Sequence, residues 1–316
     1  MIFSFIAAKK AEHSIKIMCR VLEVSRSGYH AWARRPPSPR ALEDRRLTVR
    51  IRELFKLRRD VYGSPRIWSD LVLDDGEKIG RKRVERLMRQ AGLCALMEKK
   101  WKATTIRVPG VRVADDLLDR DFAAAAPNRC WVADITYLRT WEGWLYLVAV
   151  QDLYSRRIVG WSMADHMRAE LVVDALQMAV AHRRPDRGLI CHSDQGSQFV
   201  SLAFGQQARA AGIAQSMGSR GDCYDNAVAE SFFATLKKEL IHRRTWPTKD
   251  ELRLEVFDYI EVFYNRQRRH STLGQLSPAD YEARTLSPHG SALAASRLAS
   301  PSQILSTTSS PATEAA

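Results

Sequence analysis

Trp131-Val-Ala-Asp-Ile-Thr-Tyr137 is an apolar segment with β-branched and aromatic residues, which is typical of a β-strand. The strand carries one acid, Asp134. A carboxylate on an otherwise apolar strand is costly to bury unless something binds it. We therefore expect Asp134 to be a functional residue.

Two further acids have equally distinctive surroundings. Asp194 ends the apolar run 189–194 and precedes a Gln-Gly turn, so we expect it to project from a strand end, where sites form in α/β sheets. Glu230 lies in the first turns of a predicted helix. Three carboxylates that converge from two strands and a helix can hold two divalent metals, which phosphodiester chemistry requires. The alternative is that these acids only cap and solvate ordinary elements.

The sequence around these acids predicts an α/β domain. Three strands joined by short turns are followed by alternating helices and strands, which is the ribonuclease H-like order. The fold class is therefore α/β, a ribonuclease H-like mixed five-stranded sheet flanked by helices, preceded by an all-α helix-turn-helix region. The predicted strands are 130–138, 144–152, 156–163, 188–193 and 213–217, and the predicted helices are 168–183, 200–211, 225–243 and 248–264.

The region before the sheet is predicted to be helical and basic. Residues 14–34 suggest two short helices, the second capped by Ser25; both a helix-turn-helix and a structural hairpin fit this pattern. Prolines make 35–40 a linker. A basic helix over 41–58, a turn and helix to about residue 73, and a strongly basic helix over 81–93 have the layout of a DNA-reading module.

The last of these helices supplies the candidate DNA contacts. We expect its basic side chains to meet phosphates or base edges, although a solvated charged face would have the same composition. These residues are Arg81, Lys82, Arg83, Arg86 and Arg89.

Charge and cysteine content narrow the class of protein. The net charge is +13, and residues 1–112 alone hold 27 Lys+Arg and 12 Asp+Glu. Such a basic segment indicates nucleic-acid binding, although a solvated surface or a membrane-surface patch would look similar. None of the five cysteines is in a C-x-x-C pair, so we expect a reduced protein without structural zinc or disulfides. Without a convincing signal peptide or bilayer-spanning stretch, we expect it in the bacterial cytoplasm, associated with the nucleoid when bound to DNA.

These patterns predict five segments. Residues 1–40 form a small helical unit and linker, and 41–97 the helix-turn-helix domain. A second linker at 98–127 leads into the catalytic core at 128–284. The tail at 285–316, rich in Ser, Ala, Pro and Thr, is expected to be disordered.

Several blocks, in one order, resemble a known family. Residues 127–281 are similar to the DDE integrase catalytic core, and residues 1–284 resemble the second-reading-frame transposase of the IS3 family of bacterial insertion sequences. Besides the segments around Asp134 and at 62–66 and 81–93, the resemblance is carried by Glu142-Gly-Trp-Leu-Tyr-Leu147, Asp152-Leu-Tyr-Ser-Arg-Arg-Ile-Val-Gly-Trp161, His192-Ser-Asp-Gln-Gly-Ser-Gln-Phe199, Ser216-Met-Gly-Ser-Arg-Gly-Asp-Cys-Tyr-Asp-Asn-Ala-Val-Ala-Glu-Ser-Phe-Phe233 and Tyr264-Asn-Arg-Gln-Arg-Arg-His-Ser-Thr-Leu-Gly274.

The resemblance implies a mechanism. Asp134, Asp194 and Glu230 would bind two Mg²⁺ ions, with Mn²⁺ as a substitute, and catalyse DNA cleavage and strand transfer at the ends of an insertion sequence. Lys237 matches the family's basic position after the Glu and would contact DNA. Asn226 shares a helix face with both Glu230 and Lys237 at about 3.6 residues per turn.

For four further residues two roles stay open. They would either line the DNA path or stabilise a turn through hydrogen bonds. They are His192, Gln195, Ser197 and Gln198.

The resemblance also names partners. The expected ones are double-stranded DNA, as terminal inverted repeats and target, and further copies of the chain in a homo-oligomer on DNA. The zinc module of retroviral integrases is absent, so end recognition would fall to the basic helices. The chain begins where the family's second frame begins, so a first-frame (OrfA) product is expected as a partner or fusion. No membrane partner is expected.

Three functions remain as hypotheses. The first is a metal-dependent DNA strand transferase, which the acid trio favours. The second is a DNA-binding regulator of its own element, idle without a fused first-frame partner. The third is a ribonuclease H-like nuclease that hydrolyses DNA without joining it.

Overall fold

The chain divides into two compact units, residues 1–95 and 96–316. The structure is a computed structural model that describes residues 2–95, 124–194, 196–217 and 227–286. Most of the predicted linker at 98–127 and of the tail at 285–316 therefore lies outside the described residues. No helix within the described ranges is long and apolar enough to cross a membrane.

All regular elements between residues 2 and 95 are helices, as predicted for this region. Its helices are α1 (Ile2–Lys9), α2 (Ile15–Val21), α3 (Arg26–Arg34), α4 (Pro39–Leu57), α5 (Ser64–Leu73) and α6 (Arg81–Gln90).

Helices α1 to α3 share a small core of their own. Ile6 of α1 is fully buried and packs with Met18, Cys19 and Tyr29. The Ser25 hydroxyl accepts a hydrogen bond of 2.8 Å from the Gly28 amide, so Ser25 caps α3 as predicted. The apolar start of the chain was not predicted to be a helix, and the structure shows that it completes this core.

Helix α4 begins earlier than the sequence suggested. The predicted linker reaches residue 40, but the helix starts at Pro39, after Ser38 accepts a hydrogen bond of 3.2 Å from the Ala41 amide. Proline is well tolerated at the first helical position, because the amide hydrogen that it lacks has no partner within the helix there. The linker prediction was therefore wrong at its last two residues.

Helices α4, α5 and α6 pack around a shared apolar core, and ion pairs link them at the edge of this core. Arg46 on α4 reaches Glu77 at 2.6 Å, and Arg50 reaches Asp75 at 2.7 Å. Both acids lie in the connection between α5 and α6. The buried apolar residues include Leu47, Ile51, Ile67, Leu71, Val84 and Leu87.

The second unit contains the predicted mixed sheet. Its strand order is β3-β2-β1-β4-β5, in which β1 pairs antiparallel with β2 and parallel with β4. The central position of β1 makes Asp134 a residue of the middle strand. The strands are β1 (Cys130–Thr140), β2 (Gly143–Asp152), β3 (Ile158–Ala164), β4 (Ile190–Ser193) and β5 (Ala214–Met217).

Helices flank this sheet, and their bounds lie close to the predicted ones. The predicted helix 225–243 is α9 followed by a 3₁₀ turn at Ile241–Arg243, and its first two residues lie outside the described residues. The predicted helix 248–264 is α10 continued by a π-helix at Tyr259–Tyr264. The helices are α7 (Ala169–Arg183), α8 (Leu202–Ala210), α9 (Ala227–Glu239), α10 (Lys249–Asp258) and α11 (Pro278–Leu286).

Alternation along β1 separates two faces. Trp131 and Ala133 pack in the large core that contains buried residues of α7, whereas Val132 packs with Val228 and Ala229 of α9. Successive side chains of a strand point to opposite faces, so Asp134 shares the face of Val132 and is directed toward the side of α9.

Helix α7 lies very close to β3. A Cβ added at Gly160 would meet the Ala175 carbonyl oxygen and would lie 2.6 Å from the Ala179 nitrogen. Only glycine permits this approach, so Gly160 helps to set the distance between the helix and the sheet.

Candidate active site

The geometry of the site starts from the parallel ladder between β1 and β4. The last paired residues of this ladder are Ala133 and Ser193. Asp134 and Asp194 each follow one residue later, at the point where the two neighbouring strands separate. The fold therefore brings together, at one level of the sheet, two acids that are distant in sequence.

Asp134 is half-buried, and this burial controls its ionisation. Burial raises the pKa of Asp134 to about 7, and the charges of Asp194 and Glu230 contribute to the rise. The Ile135 amide, which donates a hydrogen bond of 2.7 Å to the carboxylate, and the Lys237 ammonium act in the opposite direction. All four groups are thus close enough to influence the same carboxyl.

Asp194 and Glu230 are more exposed than Asp134. The Asp194 carboxylate accepts a hydrogen bond of 3.1 Å from the Gly196 amide, which holds it at the end of β4. Glu230 lies in the first turn of α9, where the helix dipole favours a negative charge.

Lys237 lies two turns after Glu230 on the same helix. Its ammonium nitrogen is 5.2 Å from the ring centroid of Tyr137 on β1. Burial lowers the pKa of Lys237, and the charge of Asp134 counteracts that effect. The site therefore holds a cation beside its three acids.

The three acids are not assembled around a single point. Among the described residues, no group of three or more His, Cys, Asp or Glu side chains could hold a metal ion as it stands. Carboxylates repel one another when no cation lies between them. The three acids can therefore influence one another's charge without touching. Their oxygen atoms nevertheless suit a hard divalent cation, so the residue types fit a metal.

The structure favours the structural role for two of the four residues whose roles were open. His192 is buried, and its Nδ1 shares a hydrogen bond of 3.0 Å with the Ser216 hydroxyl of β5. The Gln198 amide donates one of 3.0 Å to the Met167 carbonyl.

The remaining sequence-predicted residues of this region are Ser197, Gln195 and Asn226. Ser197 is exposed in the turn after β4. Gln195 and Asn226 lie outside the described residues, so their proposed contacts with DNA stay predictions.

The basic helix α6 divides into two sets of side chains. Arg83 forms ion pairs with Glu43 at 2.7 Å and Asp44 at 2.8 Å, and Arg86 binds Asp44 at 2.8 Å. Hydrogen bonds from Arg86 and then Arg83 lower the pKa of Asp44. These two arginines therefore fasten α6 to α4, a role that the sequence analysis did not assign to them.

The other basic residues of α6 remain at the surface. Arg89 is exposed and pairs with Glu85 of its own helix at 2.7 Å. Arg81 and Lys82 are exposed at the start of α6 and form no ion pair within the part of the chain that the structure describes. Of the five basic candidates, these two are the most available for DNA.

One buried cluster that supports α9 was not predicted. Arg268 donates two hydrogen bonds of 2.8 Å to the two carboxylate oxygens of Glu239, the last residue of α9. The Tyr259 hydroxyl donates a third, also of 2.8 Å. Arg268 lies in the block 264–274 that carries the family resemblance, and this location was the signal that could have identified it.

Comparison with family models matches most of the chain in three parts. Residues 41–101 match the model of an HTH-like domain. Residues 124–223 and 230–286 match two models described as an integrase core domain.

Two relatives match most of the chain. The transposase InsF for insertion sequence IS3A of Escherichia coli (strain K12) is 42% identical over 288 residues, which are 90% of this chain and 100% of the relative. An uncharacterized 31 kDa protein of insertion element IS600 from Shigella sonnei is 43% identical over 264 residues, 84% of this chain and 97% of the relative.

Solved structures give a more distant similarity. A chain of the simian T-cell lymphotropic virus intasome in complex with PP2A regulatory subunit B56 gamma has a TM-score of 0.44 and 14% identity, over 74% of each chain. The HTLV-2 integrase catalytic core domain in complex with magnesium has a TM-score of 0.39 and 16% identity, over 50% of this chain and 97% of that one.

Proposed function

The chain belongs to the IS3 family of insertion-sequence transposases, and on that basis we propose that Asp134, Asp194 and Glu230 are its catalytic metal ligands. It is a transposase that binds DNA and carries a DDE-type polynucleotidyl transferase core. The observation that carries the proposal is the position of Asp134 and Asp194, each one residue beyond the last pair of the β1–β4 ladder. The influence of Glu230 on the pKa of Asp134 supports the third member.

The cofactor in this proposal is Mg²⁺, bound as two ions, with Mn²⁺ as a substitute. Carboxylate oxygens are the ligands that hard divalent cations prefer, and the mutual repulsion of the three acids favours a cation between them. When bound, the ions would activate the attacking oxygen and stabilise the leaving oxygen.

The protein side chains have separate tasks in this proposal. Asp134 gives up its proton before it can serve as a ligand, which its raised pKa makes pH-dependent near neutrality. Lys237 offers a positive charge to a DNA phosphate beside the acids. Water attacks a phosphodiester at an element end and releases a 3′-hydroxyl, which then attacks a target phosphodiester and displaces a 3′-oxygen of the target strand. The cut is a hydrolysis and the joining step exchanges one phosphodiester for another, so neither step needs ATP.

The proposed partners follow from the family and from the exposed basic residues of α6. Residues 41–97 would read the terminal inverted repeats through Arg81 and Lys82, and residues 128–284 would act on those ends and on target DNA. A homo-oligomer would hold two ends at once, and a first-frame (OrfA) product would add further end recognition in the bacterial cytoplasm.

The test is Mg²⁺-dependent nicking and joining of terminal-repeat DNA by the full chain. We expect Asp134→Asn, Asp194→Asn and Glu230→Gln each to reduce both steps to background while DNA affinity stays within about twofold. Asp174→Asn is a matched control, because Asp174 is an exposed acid on α7. Wild-type rates in any variant of the trio would contradict the assignment.

The products distinguish the transferase from a hydrolytic nuclease. Joined strands on a sequencing gel support strand transfer, whereas cleavage without joined product would favour the nuclease. The regulator hypothesis is not favoured, because the relatives include transposases and the three acids are present.

A further inference from the structure

A group of aromatic and basic side chains near the β1–β2 hairpin is linked to the candidate active site through Lys237. The aromatic residues are at the tip of the β1–β2 hairpin, where Tyr137 is 59% exposed, Trp141 74% and Trp144 45%. Arg139 of β1 and Lys237 of α9 supply two positive charges. We call these five residues the hairpin patch.

Four members of the hairpin patch contact one another: Tyr137, Arg139, Trp144 and Lys237. The rings of Tyr137 and Trp144 meet edge to face with centroids 5.1 Å apart. The Arg139 guanidinium is 5.9 Å from the Trp144 ring, its direct partner across the two strands. Residues directly opposite in an antiparallel pair lie on the same face, so the pairing of β1 with β2 keeps Arg139 next to Trp144.

The tip of the hairpin is firmly attached to the rest of the unit. The Trp141 amide donates a hydrogen bond of 3.0 Å to the Trp246 carbonyl. The Glu142 carboxylate accepts a hydrogen bond of 2.7 Å from the Lys249 amide. Glu142, the acid next to Trp141 in sequence, is therefore already bound to a partner. These two bonds hold the turn between β1 and β2, so a ligand that binds there does not have to order the turn itself.

Chemistry and position both indicate what this surface binds. Exposed aromatic clusters mark binding sites, and rings interleaved with cations suit nucleobases, because every base offers a π-face next to a phosphate. Lys237 joins the hairpin patch to the catalytic side, since it contacts Tyr137 and lowers the pKa of Asp134. Tyr, Trp and Arg are also frequent in protein interfaces, so a second copy of the chain is the competing occupant. The contact of Tyr137 with Lys237, which also acts on Asp134, favours DNA.

We propose that the hairpin patch stacks unpaired nucleobases of the DNA strand that passes Asp134. The inference rests on the proposed function, which places DNA at that acid. It adds a site that recognises bases freed from the duplex rather than phosphates alone.

The test compares two probes with the full chain. One is a single-stranded oligo-dT labelled with 2-aminopurine, and the other is a blunt duplex of the same length. We expect Trp141→Ala or Trp144→Ala to weaken binding of the single strand about 5- to 150-fold, while duplex affinity changes less than about twofold. Trp144→Phe keeps a stacking ring and should retain most of the affinity. Phe257→Ala, an exposed aromatic on α10, is the matched control.

Several outcomes would overturn the proposal. They are an equal loss on both probes, no loss on either, or a dimer in sedimentation that Trp141→Ala dissociates. Asp134→Asn separates this result from the proposed function, because it should remove chemistry and leave the preference for single strands unchanged. A single-strand preference that persists while Asp134→Asn retains activity would support the patch and reject the catalytic assignment.

Discussion

Asp134 is a residue whose function conflicts with stability. Its pKa in the folded protein is about 7, mainly because burial disfavours the charged form. When the pKa of a carboxyl is higher in the folded than in the unfolded protein, protonation of that carboxyl favours folding. The stabilisation is complete below the unfolded pKa of about 4. That contribution is lost as the pH rises through about 7, where the buried group must ionise.

We expect Asp134→Asn to stabilise the metal-free protein above pH 7. The substitution removes the buried charge, and the gain in the free energy of unfolding should be on the order of 4 kcal/mol at most at pH 8. At pH 4 the two proteins should differ little. Urea unfolding at both pH values measures this difference.

Magnesium provides the complementary control for this expectation. Added Mg²⁺ should raise the stability of the wild-type protein at pH 8 but not that of Asp134→Asn, because binding to the folded state stabilises it. A metal-free variant that is less stable than the wild type at pH 8 would show that Asp134 has a mainly structural role.

Helix α9 is the element that carries Glu230 and Lys237, and its end is held by a buried ion pair. Arg268 and Glu239 have side chains only 7% and 5% exposed. Removal of one partner leaves the other charge buried without compensation, which typically costs about 3–5 kcal/mol.

We therefore expect Arg268→Met to destabilise the protein by about this amount in urea unfolding, and addition of Glu239→Gln to restore part of the loss. Arg253→Ala is the control, because the Arg253–Asp250 pair of α10 is exposed and should contribute less than about 1 kcal/mol. Additive losses in the double variant would argue against a coupled pair.

The elements of the sheet could be predicted because their pattern is local. Strands β1 and β2 are apolar runs bounded by turn residues, and their observed limits lie within two residues of the predicted ones. Helix α1 was not predicted, since its burial depends on Tyr29 and other residues of the next two helices. The close approach of α7 to Gly160 likewise depends on tertiary packing and could not be predicted from a single glycine.

The candidate site follows the same rule. The location of Asp134 on a strand and of Asp194 at a strand end could be predicted from their own segments. Their approach depends on the parallel pairing of β1 with β4, which neither segment specifies. The partners of Arg83 could not be predicted either, because Glu43 and Asp44 lie 40 and 39 residues away and compete with DNA for the same guanidinium. The number of basic residues in a predicted helix is therefore larger than the number of side chains that are available to phosphates.

At the scale of the whole molecule, the net positive charge is concentrated in the first unit. Residues 1–95 contain 22 Lys+Arg and 11 Asp+Glu, whereas residues 96–316 contain 27 and 25. Many acids of the first unit are already paired with arginines that join its helices. Long-range attraction of DNA should therefore come mainly from this unit, and the chemistry from the other.

The salt dependence of DNA binding tests this division. Each phosphate contact that is lost should reduce the slope of log K against log salt by about 0.9, so Arg81→Ala combined with Lys82→Ala should reduce it by about 2. Arg83→Ala should instead lower the melting temperature, because it breaks the link between α6 and α4. Titration of duplex DNA at several salt concentrations measures the slope, with Asp174→Asn as the control. If Arg83→Ala flattened the slope without loss of stability, its guanidinium would have to leave Asp44 for a phosphate, and the division of α6 into structural and DNA-facing residues would be wrong.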